Sequence, residues 1–378
     1  MFGKLFGKKK KPNVIMILLD QFRNDARKTH DIFLELKKRG VLFSNTITYA
    51  PYTLGSMHAT FTGMYGRDNG VDAYAKSPFY RKKECFSLPQ YLKKAGYYTR
   101  GYTFSKILLP DSGFDRFTVV SETDEKDILQ SHYNELDRCY NQDKPFFCYL
   151  HYGEIHHEIV KKVIRKHDDF DPAYFDHYEK NYDRYMNLAK KGGEHTARLL
   201  QKIDQMGSDN TMIIVLTDHG AGVGEKPGEK AYGIFTYDYS IRIWSYLICP
   251  ELLPQDIELN SQVRTIDILP TILDMLAIKP SRKHKPIKGH SLLSVIKGEE
   301  TGHRGAFSET GGVEGPYPSP DTSNIKCYRD GRWKLIYNTT INKYELYDIQ
   351  ADPAEKRNLY LKEPQKSQEL FHQLSSYL

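Results

Sequence analysis

Four residues have the types and positions needed to build a reactive centre: Asp20, Thr53, Asp218 and His219. Asp20 ends the apolar run Val14–Leu19, and the pair Asp218-His219 follows a second run, Thr211–Leu216. Two carboxylates and a neutral imidazole are a plausible donor set for one divalent cation. Thr53 follows the turn Ala50-Pro51-Tyr52 and opens an expected helix that runs toward Gly63. A hydroxyl beside a cation can be activated as a nucleophile, and a helix N-terminus favours an anionic group. Taken singly, Asp20, Asp218 and Thr53 are equally what helix N-caps look like, so only their convergence would make a site.

Convergence requires a particular scaffold. The runs Val14–Leu19, Pro145–His151 and Thr211–Leu216 lack polar alternation, which fits strands buried on both faces of a parallel sheet. Helical segments are expected after Asp20 (Ile32, Leu34 and Leu36, stopping at Gly40), over Leu88–Lys94 before a strand at Tyr97–Gly101, and over 182–206, with Gly192-Gly193 as a candidate break. Strands alternating with helices predict an α/β fold with a mostly parallel central sheet flanked by helices, and ligands bind such sheets at the carboxyl ends of the strands. Towards the C-terminus, Trp333–Tyr337 and Tyr344–Asp348 predict a small antiparallel sheet, with a final helix over 364–377. This divides the chain into a basic tail (1–12), an α/β catalytic unit (13–300) and a C-terminal α+β unit (301–378). The stretch 160–187, rich in Asp, His, Tyr and Lys, reads as an insertion over the site.

The 378 residues carry a net charge of +6, and five of those charges are Lys4 and Lys8–Lys11. The rest of the chain is near neutral, unlike a nucleic-acid binder with a basic folded face. No nucleic-acid partner is expected, and the tail is offered only weak contact with an anionic membrane surface. The longest apolar run is six residues, so neither a spanning helix nor a secretion signal is expected. Five cysteines without C-x-x-C spacing suit reduced, buried thiols. These features together predict a cytoplasmic protein, at most peripheral to the inner membrane face.

The order of motifs resembles the sulfatase branch of the alkaline phosphatase superfamily. The resemblance rests on Leu19-Asp20-x-x-Arg23-x-Asp25, on Ala50-Pro51 through Thr62-Gly63, and on Thr217-Asp218-His219-Gly220 with Gly224-Glu225. It continues through Phe235-x-Tyr237-Asp238-x-Ser240-x-Arg242, Val263–Asp274, Gly289-x-Ser291-Leu292-Leu293, Glu345–Asp352 and Arg357-Asn358-Leu359, and so covers about residues 13–360. It implies an alkaline phosphatase-like fold and a single metal site formed by Asp20, Thr53, Asp218 and His219, with Gln21 at the family's second acidic position. Mn or Zn is favoured for that site over Ca or Mg.

One departure bears on the chemistry. Sulfatases resemble one another in Cys-x-Pro-x-Arg or Ser-x-Pro-x-Arg, whose first residue is oxidised to formylglycine, whereas this chain has Thr53-Leu54-Gly55-Ser56-Met57. Threonine cannot yield that aldehyde. The resemblance therefore points to Thr-nucleophile members and to cleavage of a phosphate mono- or diester, by hydrolysis or transfer, through a phospho-threonine. It implies that His156, with His157 as alternative, assists the leaving group; Lys226 and Lys230 are candidates for holding an anionic substrate, against the plainer reading of solvated loop lysines. Related transferases have a histidine where this chain has Tyr232. His151 is expected to be a strand residue, Ser56 a helix residue, and Arg23 and Arg242 to orient loops through Asp25 and Asp238. The alternatives are sulfate-ester hydrolysis without formylglycine, or a non-catalytic binding protein that keeps the fold.

Overall fold

The computed structural model describes residues 11–121, 127–163, 175–229, 231–313 and 315–378. The first strand, β1 (Asn13–Leu19), is the apolar run that precedes Asp20, and it lies at the centre of a nine-stranded sheet. Its neighbours are β5 (Phe146–Tyr152) and β6 (Thr211–Leu216), both parallel to it. Beyond β5 lie β3 (Tyr98–Thr103) and β4 (Arg116–Val119), again parallel. Beyond β6 the direction reverses: β7 (Arg242–Ile248) runs antiparallel to β6 and to β2 (Val41–Ile47), and β2 pairs in parallel with the short β8 (Ile257–Leu259) and β9 (Val263–Arg264). The order β4-β3-β5-β1-β6-β7-β2-β8, with β9 on β2, makes a mostly parallel sheet as expected.

Strands β1, β5 and β6 read as unbroken apolar runs because both their faces are covered. Ile15, Ile17 and Leu19 face one core with Trp244 and Tyr246, while Val14, Met16 and Leu18 face the other with Met57 and Phe61. The helix Tyr178–Met206 lies against the first of these layers, as expected over 182–206, and runs unbroken through the candidate break at Gly192-Gly193. The glycines serve close packing there: a Cβ on Gly193 would sit 2.4 Å from the His30 Cβ. No helix among the described residues is long and apolar enough to cross a membrane.

The C-terminal sheet is antiparallel, in the order β10 (Ala306–Thr310), β11 (Ile325–Asp330), β12 (Trp333–Asn338) and β13 (Lys343–Asp348). The helix Pro364–Ser375 packs on it through Leu370 and Leu374. All five cysteines are buried and free.

Candidate metal and active site

The site forms where the order of strands turns back on itself. The chain places β3 and β5 on one side of β1 and β6 on the other, so the loops leaving the carboxyl ends of β1 and β6 face one another across a crevice. Asp20 enters it from β1, and Asp218 and His219 from β6. Ligand atoms of these three buried residues lie within 4.8 Å of one another. Backbone bonds join the loops: the Gln21 N–H donates to Asp218 Oδ1 (3.1 Å) and the Phe22 N–H to Thr217 Oγ1 (3.0 Å). Gln21 holds φ at +61°, the left-handed region that non-glycine residues seldom adopt. Strain of this kind persists only where surrounding bonds impose it.

Thr53 arrives from the other side, as the first residue of the helix Thr53–Thr62, every residue of which is buried. Gly55 lets that helix start close to the preceding turn, since a Cβ there would lie 2.6 Å from the Ala50 Cβ and 3.0 Å from the Tyr52 ring. Ser56 is a helix residue as expected, and it also ties the helix to the metal loop, its hydroxyl donating to the Asp218 carbonyl at 2.9 Å. The Thr53 hydroxyl comes to 3.4 Å from His219 Nε2.

The tautomer of His219 follows from its other nitrogen. Nδ1 lies 2.7 Å from the Gly220 carbonyl, which can only accept, so Nδ1 carries the proton. In the neutral imidazole, Nε2 then presents a lone pair toward Asp218 Oδ2 at 3.5 Å and Asp20 Oδ1 at 3.7 Å. Lone pairs facing one another in a buried space repel unless a cation lies among them. Asp218 Oδ2 and both polar atoms of the Gln21 amide are buried without a hydrogen-bond partner, as is His156 Nδ1. Buried polar atoms are nearly always satisfied, so this donor set fits a divalent cation.

Each expected site residue among the described residues has a definite place. His156, on the helix Glu154–Val163, stands across Tyr232 from His219: the Tyr232 ring centroid is 5.0 Å from that of His156 and 5.9 Å from that of His219. Burial pushes the His156 imidazole below the ordinary histidine range, while Asp20 and Asp218 pull it the other way. His157, its neighbour, is buried edge-on against Phe104 at 4.5 Å. Lys226 corrects the expectation of a substrate contact: its amine donates to the Glu355 carbonyl and lies 4.4 Å from the centre of the Tyr237 ring, so it faces the C-terminal sheet. Lys230 and residues 164–174 of the expected insertion fall outside the described residues.

The role of His151 was not legible in the sequence. It belongs to β5 as expected, yet its Nε2 lies 3.0 Å from Asp20 Oδ2. Arg23 does bind Asp25 and also joins the two loops, donating to the Ala221 carbonyl at 2.8 Å and to Glu225. Arg242 is corrected, since Asp238 is bound by Arg329 and Lys334 instead.

Comparison with known proteins follows the same lines. A family model described as Sulfatase matches residues 12–278, and one described as N-sulphoglucosamine sulphohydrolase, C-terminal, matches residues 231–378. A Formosa agariphila protein named "Sulfatase" is 24% identical over 246 residues, covering 59% of this chain and 43% of that protein. An N-acetylglucosamine-6-O-sulfatase of Bacteroides thetaiotaomicron is 28% identical over 189 residues, covering 48% of this chain and 32% of its own length. This chain thus spans less than half of either relative. Among solved structures, one bound to its substrate D-glucosamine-2-N,6-O-disulfate superposes with a TM-score of 0.76 at 19% identity, over 97% of both chains. A Bacteroides fragilis protein described as a "putative sulfatase" superposes with a TM-score of 0.77 at 18% identity, over 98% of this chain and 96% of that one. At such identities these likenesses establish the fold.

Proposed function

This chain belongs to the sulfatase family, and we propose that it is a metal-dependent hydrolase of a sulfate ester in which Thr53 is the nucleophile. The observation that carries the reading is the Thr53 hydroxyl 3.4 Å from His219 Nε2, at the mouth of a buried group of two carboxylates and one imidazole. Without a cation that group would repel an anionic ester. Asp20, Asp218 and His219 would hold the ion, with Thr53 and the unpartnered Gln21 amide beside it. When bound, a divalent ion there offsets charge on the ester's non-bridging oxygens and favours the alkoxide form of the threonine. The donor set suits Mn or Zn and also admits Mg or Ca.

The chain's own residues supply the rest. The Thr53 hydroxyl gives up its proton as Oγ1 bonds to sulfur, and His156, whose imidazole burial shifts toward the neutral form, is the group we assign to take it. The ester S–O bond breaks with its electron pair on the departing oxygen, which takes the proton back from His156. Water then attacks sulfur and gives a proton to His156, the bond to Oγ1 breaks with its electron pair on Oγ1, which takes that proton, and inorganic sulfate leaves with Thr53 restored. A sulfated sugar is the substrate class we adopt, because relatives named for sulfated sugars share the family.

Thr53 itself favours a second reading. It stands where sulfatases carry the cysteine or serine that becomes formylglycine, and a threonine alkoxide is a competent nucleophile toward a phosphate ester. One assay separates the two: metal-reconstituted protein and Thr53→Ala against nitrophenyl sulfate, nitrophenyl phosphate and bis-nitrophenyl phosphate. Turnover of the sulfate, abolished in Thr53→Ala, supports the first reading. Turnover of phosphorus esters alone supports the second. Turnover that survives Thr53→Ala removes Thr53 as nucleophile.

A further inference from the structure

A second groove lies well away from the candidate site. It lies at the opposite edge of the central sheet, where the chain enters β1 through Lys11 and Pro12 and where Tyr97 precedes β3, and it encloses about 900 Å³. Strands of six or seven residues separate the two edges by ~20 Å. The floor of the groove is apolar: Phe86, Tyr91, Tyr97, Leu276, Ile278 and Pro280. Phe86 packs edge-on against Tyr91 at 4.7 Å and stacks on His284 at 4.6 Å, so these walls are fixed.

The rim is cationic throughout. Lys11, Lys94, Lys279, Arg282 and Lys283 line it, all exposed, and no Asp or Glu is among the lining residues. Lys94, Lys279, Arg282 and Lys283 form no ion pair among the described residues, unlike Lys93, which pairs with Asp115, and Lys285, which pairs with Glu84. In sequence, Lys8, Lys9 and Lys10 directly precede Lys11 and add charge of the same sign.

We propose that this groove docks the protein on a bilayer containing anionic phospholipid. Charge complementarity selects the occupant. Unpaired cations around an apolar floor match an acidic headgroup layer with acyl chain beneath it, and each such cation adds to attraction at the surface. The chain's own basic tail and the same groove of a second copy carry the wrong sign to fill it. Docking this way turns the carboxyl edge of the sheet, and with it the candidate site, away from the bilayer.

The test is flotation of the full chain with vesicles of phosphatidylcholine, alone or mixed with phosphatidylglycerol. The protein is expected to float with the mixed vesicles only, and less as salt is raised. The variant Lys279→Ala/Arg282→Ala/Lys283→Ala is expected to lose affinity on the order of a hundredfold. Lys94→Glu, on the other wall, tests the groove independently should the triple variant unfold. Lys8→Ala/Lys9→Ala/Lys10→Ala is expected to keep the binding that depends on the groove. Flotation that is unchanged in both groove variants, equal flotation with neutral vesicles, or binding of a DNA duplex in place of vesicles would overturn the proposal.

Discussion

His151 Nε2 lies 3.0 Å from Asp20 Oδ2, and its Nδ1 lies 3.0 Å from the Thr103 hydroxyl. An ionised Asp20 can only accept, so His151 carries its proton on Nε2 and accepts the Thr103 hydroxyl hydrogen on Nδ1. The chain Thr103–His151–Asp20 runs across three adjacent strands, β3, β5 and β1. It fixes the carboxylate that faces His219. Such outer partners of metal ligands tune affinity strongly. His151→Phe keeps a ring in the same pocket but removes both bonds, and is expected to weaken metal binding about 10–100-fold. Metal titration by calorimetry checks this, and an unchanged affinity would remove His151 from the site.

The crowding of Asp20, Asp218 and His219 Nε2 has a thermal consequence. Without a cation these groups oppose folding, and with one they favour it. An ion that binds the folded chain alone stabilises it by about 2.7 kcal/mol at a hundredfold excess over its Kd. A chelator should therefore lower the thermal midpoint of protein loaded with metal, and one of Mn, Zn, Mg or Ca should restore it. Asp218→Asn should abolish that response while leaving the chelated protein at least as stable as the parent. A midpoint indifferent to all four metals would sink the metal site.

Much of this arrangement is legible from the amino acids, for a physical reason. Strands covered on both faces must be apolar throughout, so β1, β5 and β6 declare themselves, and the polar residues that end them stand out. The antiparallel β2 and β7 do not, because Ser44, Asn45, Ser245 and Arg242 interrupt their apolar pattern. His151 is hidden for the opposite reason: within Phe-Phe-Cys-Tyr-Leu-His-Tyr it looks like one more buried ring, and only the register that sets it opposite Leu18, one residue before the end of β1, brings it to Asp20. Lys226 misleads because closeness in sequence to His219 is not closeness in space. Between them the chain turns toward the C-terminal sheet, where Glu355 takes the amine.

That turn toward the C-terminal sheet ends in a buried ionic cluster. Lys334, on β12, is fully buried with its amine 3.0 Å from Asp238 and 2.8 Å from Glu355, and Arg329 binds the other oxygen of Asp238 at 3.0 Å. Although buried, Asp238 is held well below the usual carboxylate range by Arg329 first and Lys334 second. Glu355 shares only the lysine and lies beside Asp238, and burial pushes it up. Lys334→Met removes the single cation both acids share and leaves two carboxyls buried together. Breaking a buried pair from one side costs about 3–5 kcal/mol, and urea denaturation should register a loss of that order. A loss below 1 kcal/mol, roughly that of an exposed pair, would mean water reaches the cluster.

A second buried polar pair predicts how stability responds to pH. His132 Nδ1 and His195 Nε2 are 3.0 Å apart, and His195 lies against Tyr152 with ring centroids 4.4 Å apart. Burial pushes His195 down to about 3 and His132 well below the ordinary histidine value. The unfolded chain binds a proton at each near pH 6.5, while the folded chain resists doing so. Between those limits the unfolded state holds more protons, so stability is fully present above about pH 6.5 and falls as pH drops. Each group contributes a slope of up to about 1.4 kcal/mol per pH unit within that window. His195→Leu lowers stability at every pH by orphaning His132, and it should also flatten the slope between pH ~6.5 and ~5, above the range where carboxylates titrate. Urea denaturation of parent and variant across that interval measures the difference. Parallel curves would mean that His195 titrates alike in the folded and unfolded chains.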